Sequence, residues 1–281
     1  SIMLVVMGPI LNVPVTDLFA AAIMPGLMLA VLYTGYTLIR CHLNPNLGPV
    51  VPEDLIPDSM KEVWVEFFKG LVPPVLLVGS SLGSILAGWA TPTEGAAMGA
   101  VGSILLTLAY RKLTFESFKS SLLKTLEITT LIMVLVCASN FFGSVFSRLG
   151  TPTMITEYLM LLDLPPTAIL LIIMAFIFLL AWPLEWVPIV LIIIPIVLPL
   201  IEQLGFNLTW FGILVAVNLQ TAWLSPPVAL SAYFLKGVVP EWDLADIYKG
   251  MMQFMAIQVV GLALIIIFPQ IVLWLPTYLY G

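Results

Sequence analysis

The chain has 281 residues, 61% of them hydrophobic and 9% charged, with a mean hydropathy of +1.11 and a net charge of −6. A soluble domain carries about 25% charged residues, so this composition excludes an ordinary water-facing fold, and nothing in it suggests nucleic-acid binding. Cys41 and Cys137 lie in unlike surroundings and imply no disulfide framework, and the lone His42 lacks the further ligands or partners of a metal or catalytic site.

The apolar residues fall in runs near the ~20 residues that cross a hydrocarbon core as a helix. Residues 168–179 (AILLIIMAFIFL) have no polar face, which excludes the alternation of a β-barrel strand. The expected fold is therefore all-α, a polytopic integral membrane helix bundle. Residues 2–11 are apolar but too short to span. Ser1 opens inside apolar sequence without an initiator Met, so the chain is expected to be an N-terminally truncated fragment. Residues 17–39 are long enough to cross, with a break expected at Pro25-Gly26. Residues 40–66, rich in proline and charge, read as an extramembrane linker.

Residues 67–89 form the next crossing and end at residues 90–95 (ATPTEG), after which 96–110 continue as a small-residue helix. Arg111, Lys112, Lys119 and Lys124 then share a short stretch with a single acid, Glu116, which places it in the cytoplasm. Residues 126–146 cross again and carry Ser139 and Asn140. Runs 165–182 and 187–200 flank Pro183-Leu184-Glu185, where the neighbouring tryptophans favour an interfacial over a functional Glu185. Residues 208–235 are interrupted at Ser225-Pro226-Pro227. Residues 246–275 close the chain, with Trp274 and Tyr278 suited to an interfacial belt.

Gly237 follows Gly8 at the same distance as Asp246 follows Asp17. In both places a short apolar arm reaches a glycine, a polar turn comes next, and an aspartate opens a long crossing. On this reading residues 1–39 end a first repeat, as a hairpin arm plus a broken crossing. Residues 67–281 form a second repeat with a re-entrant hairpin at about 209–236. Paired, interrupted apolar segments of this kind point to a transporter's binding site. An inverted pair needs an odd number of crossings between its hairpins, whereas six apolar runs lie between them. The 14-residue run 187–200, holding Pro188, Pro195 and Pro199, is expected to join 165–182 as one passage broken around Glu185.

Residues 218–228 (NLQTAWLSPPV) carry the strongest local signal. Pro226 and Pro227 lack an N–H and disfavour helix before them, which frees carbonyls inside a long apolar stretch. Such backbone survives at membrane depth only when buried in protein or lining a wet cavity. Each half of the stretch is about 21 Å long at ~1.5 Å per residue, too short for two spans but enough for a re-entrant hairpin. The freed carbonyls, with oxygens of Asn218, Thr221 and Ser225, suit a hard cation such as Na+. A proline-kinked crossing with packing hydroxyls fits the same spacing. Two readings also fit Thr91, Thr93 and Glu94: a helix cap, or an intramembrane ion or gating site. Asn140 suits either a binding role or an interhelical hydrogen bond.

At residues 88–97 (GWATPTEGAA), 218–221 with 225–228, and 269–276 (PQIVLWLP), the chain resembles the large membrane subunit of tripartite ATP-independent periplasmic (TRAP) transporters. Residues 1–4 (SIML) resemble the segment just after the double proline of that family's first hairpin, which brings Ser1 into the site. Ser225 and Ala229 stand where the family more often has threonine and glycine; serine keeps the hydroxyl, while alanine removes a flexible tip position. The resemblance implies an elevator-type, Na+-driven symporter of the bacterial inner membrane, with two hairpins opening to opposite faces. It implies a small membrane subunit, a periplasmic substrate-binding protein, and a small organic anion, often a carboxylate, as substrate. Na+ is then the coupling ion and no cofactor is expected. The competing classes are an intramembrane enzyme, for which the apolar segments offer no Ser/His or paired-Asp constellation, and a channel.

Overall fold

The computed structural model describes residues 2–48, 59–226 and 229–281. Every regular element among the described residues is helical, and five helices are long and apolar enough to cross a membrane. The chain divides into two compact units, Ser1–Tyr33 with Ile128–Gly281, and Thr34–Glu127. These packing units cut across the repeat boundaries read from the sequence, which concern correspondence rather than contact.

The first unit contains α1 (Ile2–Leu11), the start of α2 (Val15–Leu43) and the later part of α5 (Phe115–Arg148). It continues with α6 (Thr151–Met160), α7 (Pro166–Ala181), α8 (Trp186–Pro188) and α9 (Ile194–Gln203). After these come α10 (Leu208–Leu219), α11 (Leu230–Val238), α12 (Leu244–Ile267) and α13 (Gln270–Tyr280). Its core is built around α10, apolar on every side and buried from Trp210 to Leu219. Asn207 caps that helix by accepting the Trp210 N–H at 3.0 Å. Helices α1, α7, α12 and α13 pack against it. Close approach is secured by Gly212, where an added Cβ would stand 2.7 Å from Leu11 Cδ1 and 3.1 Å from Leu18 Cδ2. Gly261 on α12 does the same for α2, since a Cβ there would lie 2.5 Å from Leu29 Cδ2.

The second unit holds the rest of α2, a 3-10 turn at Pro45–Leu47, α3 (Met60–Leu86), α4 (Pro92–Ala109) and the start of α5. Helix α4 lays a row of small residues on α3. A Cβ at Gly95 would meet Ile85 Cδ1 at 2.6 Å, and the Ser81 hydroxyl donates to the Gly95 carbonyl at 2.6 Å. Gly95 and Gly99 thus act as the close-packing pair of a small-xxx-small contact.

Several sequence expectations are corrected. Helix α2 runs unbroken through Pro25-Gly26, because one proline removes a single backbone bond and neighbouring buried residues hold the segment on both sides. Helical structure also takes up both ends of the expected linker, to Leu43 and from Met60; residues 49–58 lie outside the described residues. Helix α5 starts at Phe115 and includes Lys119 and Lys124. The closing segment splits at Phe268-Pro269, since Pro269 disfavours helix at Phe268 (φ −121°). The break at residues 182–185 appears where expected. The run after it, however, is 18 residues long (Trp186–Gln203) and meets the length of a span, so shortness does not justify merging it with α7. That run passes Pro195 by widening into a π-turn over Ile189–Ile193, with the Ile194 N–H reaching back to the Ile189 carbonyl.

The order short helix, turn, long helix with an aspartate in its first turn recurs. It appears as α1 with α2 (Asp17) and again as α11 with α12 (Asp246).

Candidate functional site

The helical run of α10 does not continue into its proline pair. It tightens into a 3-10 turn over Gln220–Trp223 and leaves helical geometry at Leu224, Ser225 and Pro226. The expected non-helical break is therefore present, although Pro227 and Val228 lie outside the described residues. Chain direction recovers through the Ala229 N–H, which donates to the Ser225 carbonyl at 2.9 Å, and α11 begins there. Helix α11 packs on α12, with Ala229, Ala232 and Ile247 at the contact, and touches the 3-10 turn.

Asn218, Thr221 and Ser225 are all fully buried at this break. The Asn218 amide nitrogen donates to the Met174 carbonyl of α7 at 2.8 Å. The Thr221 hydroxyl donates to the Asn218 carbonyl at 2.6 Å, and the Ser225 hydroxyl to the Ala222 carbonyl at 3.4 Å. Asn218 Oδ1 is buried without a hydrogen-bond partner. A buried orphan acceptor costs about 1–3 kcal/mol and calls for an explanation.

A fourth buried polar group, not singled out from the sequence, completes the cluster. Gln258 on α12 donates to the Val217 carbonyl at 3.0 Å and to Gln220 Oε1 at 2.9 Å, while its own oxygen accepts from the Tyr33 hydroxyl. Val217 sits in the last turn of α10, where carbonyls lose intrahelical partners. Tyr33 is held edge-to-face on Phe254, ring centroids 5.5 Å apart. The only sequence signal for Gln258 was an amide inside a long apolar run.

The remaining sequence candidates fall elsewhere. Thr91 and Glu94 form a reciprocal capping box at the start of α4: the Thr91 hydroxyl accepts the Glu94 N–H at 3.3 Å, and the Glu94 carboxylate accepts the Thr91 N–H at 2.8 Å. Thr93 is exposed in that first turn, and all three belong to the second unit. Asn140 is exposed on α5 and lines a groove of the first unit. Glu185 is exposed at the head of α8, and Ser1 lies outside the described residues.

Long apolar helices around a helix broken inside buried protein, with a polar cluster at the break, define a polytopic helical membrane protein. Residues 1–271 match the family described as the tripartite ATP-independent periplasmic transporter, DctM component. The chain is 25% identical over 282 residues to the sialic acid TRAP transporter permease protein SiaT of Haemophilus influenzae, covering 99% of this chain and 44% of that protein. It is 27% identical to the sialic acid large permease protein SiaM of Vibrio cholerae (100% and 64%). The C4-dicarboxylate large permease protein DctM of Pseudomonas aeruginosa is 28% identical (99% and 64%). The chain thus spans about half to two thirds of the length of these relatives. It belongs to the DctM family of TRAP transporter large permeases, multi-pass proteins of the bacterial inner membrane, and the relatives it matches are named as transporter permeases, not enzymes.

Proposed function

We propose that the chain is the membrane-embedded part of a secondary transporter that takes up a small organic anion, a carboxylate, together with Na+. The observation that carries this reading is the buried, unpartnered Asn218 Oδ1 at the broken end of α10. A hard cation takes oxygen ligands, among them backbone carbonyls and side-chain amide oxygens. Asn218, Thr221 and Ser225, with carbonyls released by Pro226 and Pro227, are such a donor set, and all three side chains are buried. Na+ would supply the charge and the gradient that drives uptake, and it would satisfy the orphan oxygen.

The chemistry of the cargo is taken from the names of relatives, which include sialic acid and C4-dicarboxylate transporters, both for carboxylates. In this reading a periplasmic substrate-binding protein delivers the anion and a small membrane subunit completes the complex. The break in α10 is the tip of a re-entrant hairpin that moves with the site in an elevator-type exchange, and its counterpart includes Ser1. Helix α11 has only 9 residues, about 14 Å at ~1.5 Å each, which supports a re-entrant arm over a second crossing.

The test is uptake by the full-length permease with its small subunit and binding protein in proteoliposomes. Uptake should require an inward Na+ gradient and fall when Asn218 is changed to alanine. Equal uptake on K+ alone would overturn the coupling, and a substrate altered in place of being moved would overturn the transporter reading.

A further inference from the structure

The polar groove that holds Asn140 is distinct from the break in α10 and has its own chemistry. It measures about 630 Å³, and its walls come from the last turns of α5, the start of α6, and the stretch Leu191 to Pro199. From α5 it takes Ser139, Asn140, Ser144, Ser147 and Arg148, and from α6 Thr153. The opposite wall includes Leu191 and Pro195. In a regular helix their carbonyls would bond the N–H groups four residues on, which are Pro195 and Pro199, and proline has none to give. The π-turn over Ile189–Ile193 marks the same disruption.

Hydroxyl and amide groups therefore line one wall and backbone freed of its regular donors the other, with a guanidinium at one end. No carboxylate is among the lining residues. A cavity of this composition cannot face hydrocarbon without losing hydrogen bonds worth several kcal/mol each, so it holds water or a polar ligand. Helix α5 gives its location. It starts in the basic stretch placed in the cytoplasm, and Arg148 lies about 36 Å beyond Lys124 at ~1.5 Å per residue, more than the ~30 Å hydrocarbon core. Arg148 thus stands at the periplasmic end. A cation in the last turn of a helix also suits the helix dipole, but that preference does not explain the hydroxyls and freed carbonyls beside it.

We propose that this groove is a water-filled periplasmic vestibule that captures the carboxylate of a small organic anion on Arg148. The hydroxyls of Ser144, Ser147 and Thr153 and the Asn140 amide solvate the rest of the molecule. The inference rests on the proposed transport reading only for the ligand's class. Arg148 offers a planar pair of donors that matches a carboxylate, and its charge raises the local anion concentration at the mouth.

The experiment uses the full-length permease in right-side-out vesicles, with Cys41 and Cys137 replaced and any other cysteine removed. Ser144→Cys, and separately Thr153→Cys on the other wall, is reacted from outside with a membrane-impermeant anionic thiosulfonate and with its cationic counterpart. Both sites should label. Arg148→Gln should lower the anionic-to-cationic rate ratio by roughly fivefold, as expected for one charge several ångströms away in partly hydrated protein, and Arg148→Lys should restore it. Absence of labelling at both positions would show a groove closed by protein or lipid and overturn the proposal. A rate ratio indifferent to Arg148 would leave a wet groove without an anion site and overturn it equally. Labelling requires no transport, so absent Na+-driven uptake would sink the proposed function while leaving this result standing.

Discussion

Gln258, near the middle of α12, donates its amide to the carbonyl of Val217, one residue before Asn218, at 3.0 Å. The site's most constrained backbone is thereby tied to a helix far along the chain, and through the same side chain to Tyr33. Replacing Gln258 with leucine removes the side-chain donor to the buried Val217 carbonyl, which should cost about 1–3 kcal/mol. A double-mutant cycle with Tyr33→Phe, read by thermal unfolding in detergent, should show less-than-additive losses. Strict additivity would mean that the two side chains do not share a bond.

Asn218→Leu should remove the response of stability to sodium. If Na+ binds the folded protein, a concentration 100-fold above its Kd stabilises by about 2.7 kcal/mol, visible as a rise in Tm absent with choline. The variant's Tm should be the same in both salts. A full sodium response in Asn218→Leu, Thr221→Ala and Ser225→Ala alike would place the ion elsewhere.

Thr91 and Glu94 should behave as a cap. Thr91→Ala is expected to cost about 1 kcal/mol of stability while leaving the sodium dependence of uptake unchanged. Glu94→Gln keeps an oxygen for the Thr91 N–H and should transport nearly as the parent does, whereas Glu94→Ala should resemble Thr91→Ala. Loss of coupling in Glu94→Gln would return this residue to an ionic role.

Gly261→Val should disrupt the contact of α12 with α2, since its Cβ would meet Leu29 Cδ2 at 2.5 Å. Overpacking of this kind costs about 1–3 kcal/mol, and Leu29→Ala should recover much of it. Failure of the second substitution to help would show that the close approach is not formed at this pair.

Cysteine probes at Asp163, before α7, and Glu202, near the end of α9, decide how residues 166–203 cross. The groove that sets Pro199 beside Arg148 predicts that both probes label from the periplasmic face, whereas one passage broken around Glu185, which the odd-crossing rule for an inverted repeat requires, would expose them on opposite faces. Labelling from a single face would establish two crossings there and end that assignment.

The features legible in the sequence were those that a single residue type marks. The double proline at Pro226-Pro227 marked the break after α10, although α3 runs unbroken through Pro73-Pro74, so the missing N–H groups need the surrounding packing to end a helix. The crossings are equally plain where apolar length does the work, as at α5 and α12. Pro25 misled for a related reason: one missing hydrogen bond is tolerated inside a helix buried on one side, and only packing decides between kink and break. Helix α6 was missed because its 10 residues are neither long nor strongly apolar. Gln258 stayed hidden because its partners are distant in sequence, and a lone amide in an apolar helix has no spacing that betrays them. The ATPTEG segment was ambiguous in principle, since a cap and an ion site use the same hydroxyls and carboxylate. The hydrogen bonds between Thr91 and Glu94 show that the cap is formed.

The π-turn at Ile189–Ile193 has a consequence for anyone surveying substitutions along Trp186–Gln203. A widened turn holds one residue more than an α-turn, and each residue advances the side-chain direction by about 100° in an α-helix. The face counted forward from Trp186 therefore slips by about one residue before Ile194. Tolerance to polar substitution should trace two 3.6-residue waves out of step with each other. Deleting one residue inside the turn would bring the waves into phase and leave Ile194 to Gln203 facing their present neighbours.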